Sequence, residues 1–253
     1  MNGFSTWLRK EIIEQWRSKR MLIGGIVLLV FGMASPLLAK LTPELMRMVP
    51  GGENFIQLIP TPTVNDAIAQ YIKNMQQFGL ILALLFSMGA VAQEKEKGTA
   101  GLMLVKPLGR GAFLLAKFVA INLSLLAGLA AAALGGFFYT LFLFEAPNLA
   151  GWVGMNLMLA LFFAFIVALT LLCSTLLRSQ AAAAGVAVGG LFVLTAIGAI
   201  PSLAQYLPGE LVNWAGALAL GLSNSAWGAL GVTLVLILAC LLSSWLVLRK
   251  QEL

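Results

Sequence analysis

A chain of 253 residues that is 60% hydrophobic, 10% charged and without histidine is no ordinary soluble domain, in which about a quarter of residues are charged. Its mean hydropathy of +0.94 marks an integral membrane protein. The net charge of +6 does not point to nucleic acid, because the basic residues sit at the ends of apolar segments and form no groove-sized patch.

In residues 1–20, Phe4, Trp7, Leu8, Ile12 and Trp16 recur at helical spacing, with Arg9, Lys10, Glu14, Arg17, Lys19 and Arg20 on the other positions. This is the pattern of an interfacial helix with tryptophans at headgroup depth. The charged stretch is long for a signal peptide and no A-x-A site follows, so 21–39 reads as a retained first span. Residues 40–73 form a polar excursion that holds Pro43, Pro50, Pro60 and Pro62. Thr63, Val64, Asn65 and Asp66 make a capping-box sequence, which starts the second span in water and carries it through Ala92.

A polar island follows at 93–117. Glu94, Lys95, Glu96 and Lys97 alternate in sign just past an apolar helix, and Gly98 with Thr99 supplies a stop and an N-cap. Leu102, Met103, Val105 and Leu108 then give a short amphipathic helix its apolar side, Pro107 and Gly109 end it, and Arg110 and Lys117 lead into the third span. That span, 111–144, exceeds the roughly 20 residues a bilayer needs and should tilt or project. A turn at 145–148 leads to the fourth span (152–177), a tight turn at 178–180 to the fifth (181–203). Residues 205–224 contain Pro208, Gly209, Glu210 and Asn213 yet stay half apolar, which predicts one or two half-helices dipping back into the outer leaflet against protein. The last span, 225–248, is closed by Arg249 and Lys250.

The expectation is therefore an all-α integral membrane protein of six transmembrane helices, with an N-terminal interfacial helix (1–20), a polar loop carrying a surface helix (93–110) and a re-entrant outer segment (205–224). Placing both termini in the cytoplasm puts thirteen of the 16 lysines and arginines on that side and leaves Lys40, Arg47 and Lys73 outside, as the positive-inside rule requires.

The chain contains no G-x-x-x-x-G-K-[ST] loop and no histidine for a metalloprotease motif or a catalytic triad, so it is not read as an enzyme and any energy comes from a partner. No ionisable residue falls near the middle of a span, which disfavours an ion-coupled carrier. Asn122, Ser124, Asn156, Thr170, Ser174, Thr175 and Thr195 are either interhelical hydrogen-bonders or path-lining groups. Gly128, Ala132 and Gly136, and likewise Ala181, Gly185 and Gly189, permit close helix contact, within the chain or between copies. Cys173 and Cys240 lie in apolar runs and read as packing residues rather than a disulfide or metal site.

Glu94-Lys95-Glu96-Lys97-Gly98-Thr99, then Leu102 and Leu104, then Pro107-Leu108-Gly109-Arg110 and Lys117, resembles the signature after the second span of type-2 ABC transporter permeases. Lys10-Glu11 and Arg17-Ser18-Lys19-Arg20 are similar to the stretch before the first span of the same family. The resemblance covers essentially the whole chain. It implies one permease domain over 1–253 in a bacterial-type inner membrane, paired with a second, identical or different, permease copy and with separate ABC ATPase subunits that bind ATP and Mg. In that family the amino-terminal helix is an elbow and the 93–110 loop a coupling helix. Carried over, Glu94 and Glu96 would meet groups of the ATPase, Gly98 and Thr99 would start the coupling helix, and Pro107 with Arg110 would anchor its return. The resemblance leaves the substrate open; the absence of charge within the spans leans away from a small inorganic ion and toward a cargo that is amphipathic, lipidic or peptidic. A non-transporting membrane scaffold or sensor that anchors a cytoplasmic partner explains the same loop and stays open at this point.

Overall fold

The structure is a computed structural model that describes residues 3–48, 61–98 and 109–250. Among these, all regular structure is helical. The helices are α1 (Gly3–Arg17), α2 (Arg20–Arg47), α3 (Val64–Ser87), α4 (Ala92–Glu96), α5 (Arg110–Leu143), α6 (Leu149–Leu176), α7 (Gln180–Ile197), α8 (Pro201–Ala204), α9 (Glu210–Ala219) and α10 (Trp227–Lys250). Six are long and apolar enough to cross a membrane: α2, α3 with its extension through Glu96, α5, α6, α7 and α10. Both α1 and the last turn of α10 lie beside the start of α5, at what is termed the proximal end of the bundle.

Several boundaries differ from the sequence reading, among them the fifth span, expected over 181–203, whose helix ends at Ile197 before a separate short α8. The first span does not stop at Ala39: α2 continues to Arg47 through both Pro36 and Pro43. The hydroxyl before each proline donates back one turn, Ser35 Oγ to the Phe31 carbonyl at 2.5 Å and Thr42 Oγ1 to that of Leu38 at 2.8 Å. Such back-bonding accompanies the bends that let a helix pass a proline. The second span breaks after Ser87 in a turn before α4 resumes, where an unbroken helix through Ala92 was expected. Between α1 and α2, Lys19 holds a left-handed backbone, φ 58°. That reversal separates the interfacial helix from the span.

Other expectations hold. The N–H of Thr63 donates to Asp66 Oδ2 at 2.7 Å and its hydroxyl to the same oxygen at 2.8 Å, which fixes the start of α3. Asn148 closes the turn before α6 by accepting from Gly151 N at 3.1 Å. The half-apolar 205–224 segment contains α9, which buries Leu211, Val212, Trp214 and Ala215 against α6 and α3.

Helix α6 is the hub, packed by α3, α5, α7, α9 and α10. Glycines set the closest approaches. A Cβ added to Gly79 of α3 would lie 2.0 Å from Phe163 Cζ of α6, and one on Gly32 of α2 would lie 2.8 Å from the Ala132 carbonyl oxygen of α5. The stripe of Gly128, Ala132 and Gly136 is thus occupied inside the chain, by α2 and Tyr71. Its counterpart on α7 is not. Ala181, Gly185 and Gly189 are all exposed, with no described atom within 4 Å of a Cβ built on either glycine. Buried polar links tie the hub together: Tyr71 OH donates to Asn156 Oδ1 at 2.8 Å, and Asn74 Nδ2 to Ser35 Oγ at 2.8 Å. By contrast Asn122, Ser124 and Thr195 return to carbonyls of their own helices.

Candidate functional site: a charge node at the proximal end

Helix α4 is only five residues long, and a neighbour supplies its cap. Ser174 Oγ of α6 accepts from the N–H groups of Val91 and Ala92 at 3.0 and 2.9 Å, satisfying donors that an isolated turn would leave open. At the adjacent residue of α6, Lys95 Nζ donates to the Thr175 carbonyl in the last turn of that helix, where it carries negative partial charge. Pinned at both points, α4 turns Glu94 inward and Glu96 outward.

Glu94 meets Lys117. The ammonium lies 2.8 Å from Glu94 Oε1 and 3.2 Å from Glu11 Oε1, with Glu11 Oε2 at 3.3 Å. The three side chains are only 4%, 11% and 5% exposed, in the order Lys117, Glu94, Glu11. One lysine of α5 therefore joins the elbow-like α1 to the turn after the second span. Lys10 extends the cluster to the surface, 2.9 Å from Glu11, 3.0 Å from Glu14 and 3.8 Å from Glu94. Burial opposes the charge on Lys10, but Glu11 and Glu14 outweigh it and hold the ammonium above the ordinary lysine range. Burial likewise opposes the Glu14 carboxylate, and Lys10, with further help from Lys117 and Arg20, holds it below the usual carboxylate value. Aromatic rings wall the node: Trp7 meets Phe113 edge-on at 5.1 Å, and Lys117 Nζ lies 5.0 Å from the Phe113 centroid.

Helix α1 consequently has two faces that its composition does not reveal. Trp7, Glu11 and Gln15, spaced four apart, are buried, while Phe4, Ile12, Ile13 and Trp16 are exposed. Trp7 belongs to the protein-facing stripe and not with Trp16 on the exposed one. A signal for this existed in the spacing of Glu11 and Gln15 beneath Trp7, and in a lysine, Lys117, standing alone within an apolar run.

The six residues expected at a docking surface part company here. Glu96 and Gly98 are exposed, Gly98 with a left-handed φ of 67°. Glu94 is turned away from the surface. Arg110 reaches the far end of the chain, donating from Nη1 to the carbonyls of Leu248 at 2.6 Å and Arg249 at 2.9 Å in the last turn of α10. Thr99, Pro107 and the whole amphipathic stretch between them lie outside the described residues. Among the described residues no group of three or more Cys, Asp or Glu is placed to hold a metal ion.

The family model described as "ABC-2 family transporter protein" matches residues 6–253. This chain belongs to the ABC-2 transporter family. Such chains form the membrane part of transporters, so this one is a multi-pass permease subunit of a kind that works with an ATPase partner. It is also 25% identical over 212 residues to the uncharacterized transmembrane protein YxlG of Bacillus subtilis (strain 168), a match that covers 82% of this chain and 81% of that protein. In this ABC-2 chain the charge node lies directly before the loop that joins the second and third spans, and both helices flanking that loop contribute to it through Glu94 and Lys117.

Proposed function

We propose that the chain is the permease subunit of an ATP-driven exporter. A separate ATPase subunit, holding ATP and Mg, docks at the proximal end from the cytoplasm. The observation that carries this is the Glu94–Lys117–Glu11 node. A buried ion pair across the base of a loop is an expensive way to build a turn, but it makes α4, α1 and α5 move as one body. Force applied by a nucleotide-closing ATPase to the 97–109 loop is then delivered to the interfacial helix and to the longest span together. Glu96 and Lys97, exposed beside Gly98, present the charges that a docking ATPase reads. Arg110 couples the return of the loop to the last span.

Two permease copies complete the transporter, meeting on the open small-residue face of α7. The cargo is amphipathic, lipidic or peptidic and leaves along that interface. The test is affinity purification of the tagged, detergent-solubilised chain from its native membrane with mass spectrometry of what accompanies it. An ATPase at about equal abundance supports the permease reading. Its absence, with cross-linker and non-hydrolysable nucleotide present, would sink the reading.

A further inference from the structure

The connection between α7 and α9 closes one side of a cavity of about 330 Å³ at the other end of the bundle, near the lower end of the roughly 300–1,000 Å³ usual for small-molecule sites. Its walls come from α3, α6 and α7. Leu80, Phe162 and Phe165 form apolar wall, and Gln76, Glu210 and Asn213 supply polar edge. Phe162 lies near the middle of α6, so the cavity reaches well into the span layer. Glu210 lies in no span by sequence, and the fold of the α7–α9 connection places it, half-buried, on the wall of this cavity.

Glu210 is the chemically distinctive wall residue. Its Oε2 accepts from Asn213 Nδ2 at 2.7 Å, and among the described residues no lysine or arginine forms an ion pair with it. Asn213 uses a donor in that bond and keeps its carbonyl oxygen as an acceptor, and Gln76 offers another. A carboxylate and amide acceptors on one edge, with hydrocarbon and two phenylalanine rings beyond, complement a cation on an apolar body.

We propose that this cavity binds a cationic amphiphile, its primary ammonium on Glu210 with Asn213 and Gln76, its hydrocarbon against Leu80, Phe162 and Phe165. The inference deepens the exporter reading and rests on it for calling the ligand cargo, but binding itself needs no ATPase.

The experiment uses the full chain in phosphatidylcholine nanodiscs and, as probe, dodecylamine carrying a diazirine at its chain end. After irradiation, adducts are mapped by mass spectrometry. The expected result is labelling of the cavity residues, competed by excess dodecylammonium but not by dodecanol or dodecyl sulfate. Glu210→Gln should lower it at least tenfold. Thr195→Trp, an exposed position on the cavity wall, narrows the space while leaving the carboxylate in place and should lower it similarly. Adducts scattered over the lipid-facing sides of α7 and α10, or competition by dodecanol equal to that by the amine, would overturn the proposal. So would unchanged labelling in Glu210→Gln. ATPase recovery from the same membranes separates the two readings: recovery without cavity labelling removes only the cationic ligand, and labelling without an ATPase keeps the site and removes the exporter.

Discussion

Lys117 of α5 donates to Glu94 of α4 across 2.8 Å, and the same ammonium reaches Glu11 of α1, so three elements far apart in sequence share one buried cation. A charge removed from water this fully persists only where its partners are fixed. The node is therefore a rigid joint, and it sits at the base of the loop assigned to ATPase docking.

Lys117→Met removes the buried cation shared by Glu94 and Glu11 and leaves only the half-exposed Lys10 beside them, which should cost up to about 3–5 kcal/mol. Thermal unfolding of the detergent-solubilised protein, followed by size exclusion, reads this. Adding Glu11→Gln and Glu94→Gln to the same variant should restore much of the loss, because the uncompensated charges disappear together. A triple variant no more stable than Lys117→Met would show that the node is held by packing rather than charge.

Glu96 and Glu94 should separate docking from stability. Glu96→Arg changes an exposed side chain and should leave the melting temperature within the small range of surface substitutions, about ±0.5 kcal/mol, while ATPase recovery falls. Glu94→Gln should lower the melting temperature first. Co-purification and melting measured on both variants check this; equal ATPase recovery in Glu96→Arg and the parent would remove Glu96 from the docking surface.

The attachment of α1 should depend on pH at both extremes. The Glu14 carboxyl is held below its ordinary value of 4.5, so its contribution is present above that pH and is lost as pH falls through its folded value. Lys10 is held above its ordinary 10.5, so its contribution is complete below that pH and is lost as pH rises through its folded value. The protection of α1 amides relative to their intrinsic exchange rates should thus be high across the neutral range and fall in acid. Glu14→Gln should flatten the acid limb and also weaken the alkaline one, because Glu14 helps hold the Lys10 ammonium.

Gly79→Ala puts a methyl carbon where Phe163 Cζ lies 2.0 Å away. The ring must move within a packed hub, which typically costs about 1–3 kcal/mol. Phe163→Leu in the same chain should recover part of it, since the offending ring edge is gone. A melting temperature unchanged in Gly79→Ala would mean that α3 and α6 slide apart freely.

The six spans and their turns were legible in the sequence because a bilayer imposes a length on apolar runs and the turn residues Asp66 and Asn148 act on neighbours within three positions. The permease family was legible for a related reason, in a contiguous motif at 94–110. What only the tertiary structure decided is where charges and small residues point. Glu94 and Glu96 differ by two positions and look alike in sequence, yet Ser174 and Lys117, both distant along the chain, rotate one inward and leave the other in water. The same holds for Gly128, Ala132 and Gly136, which α2 covers, against Ala181, Gly185 and Gly189, which nothing in the described chain covers. Pro43 reads as a breaker until the helix around it is seen to continue. Local chemistry sets length, turn and period, whereas burial of a charge or a glycine depends on which helix lies opposite, and that is a property of the packed bundle alone.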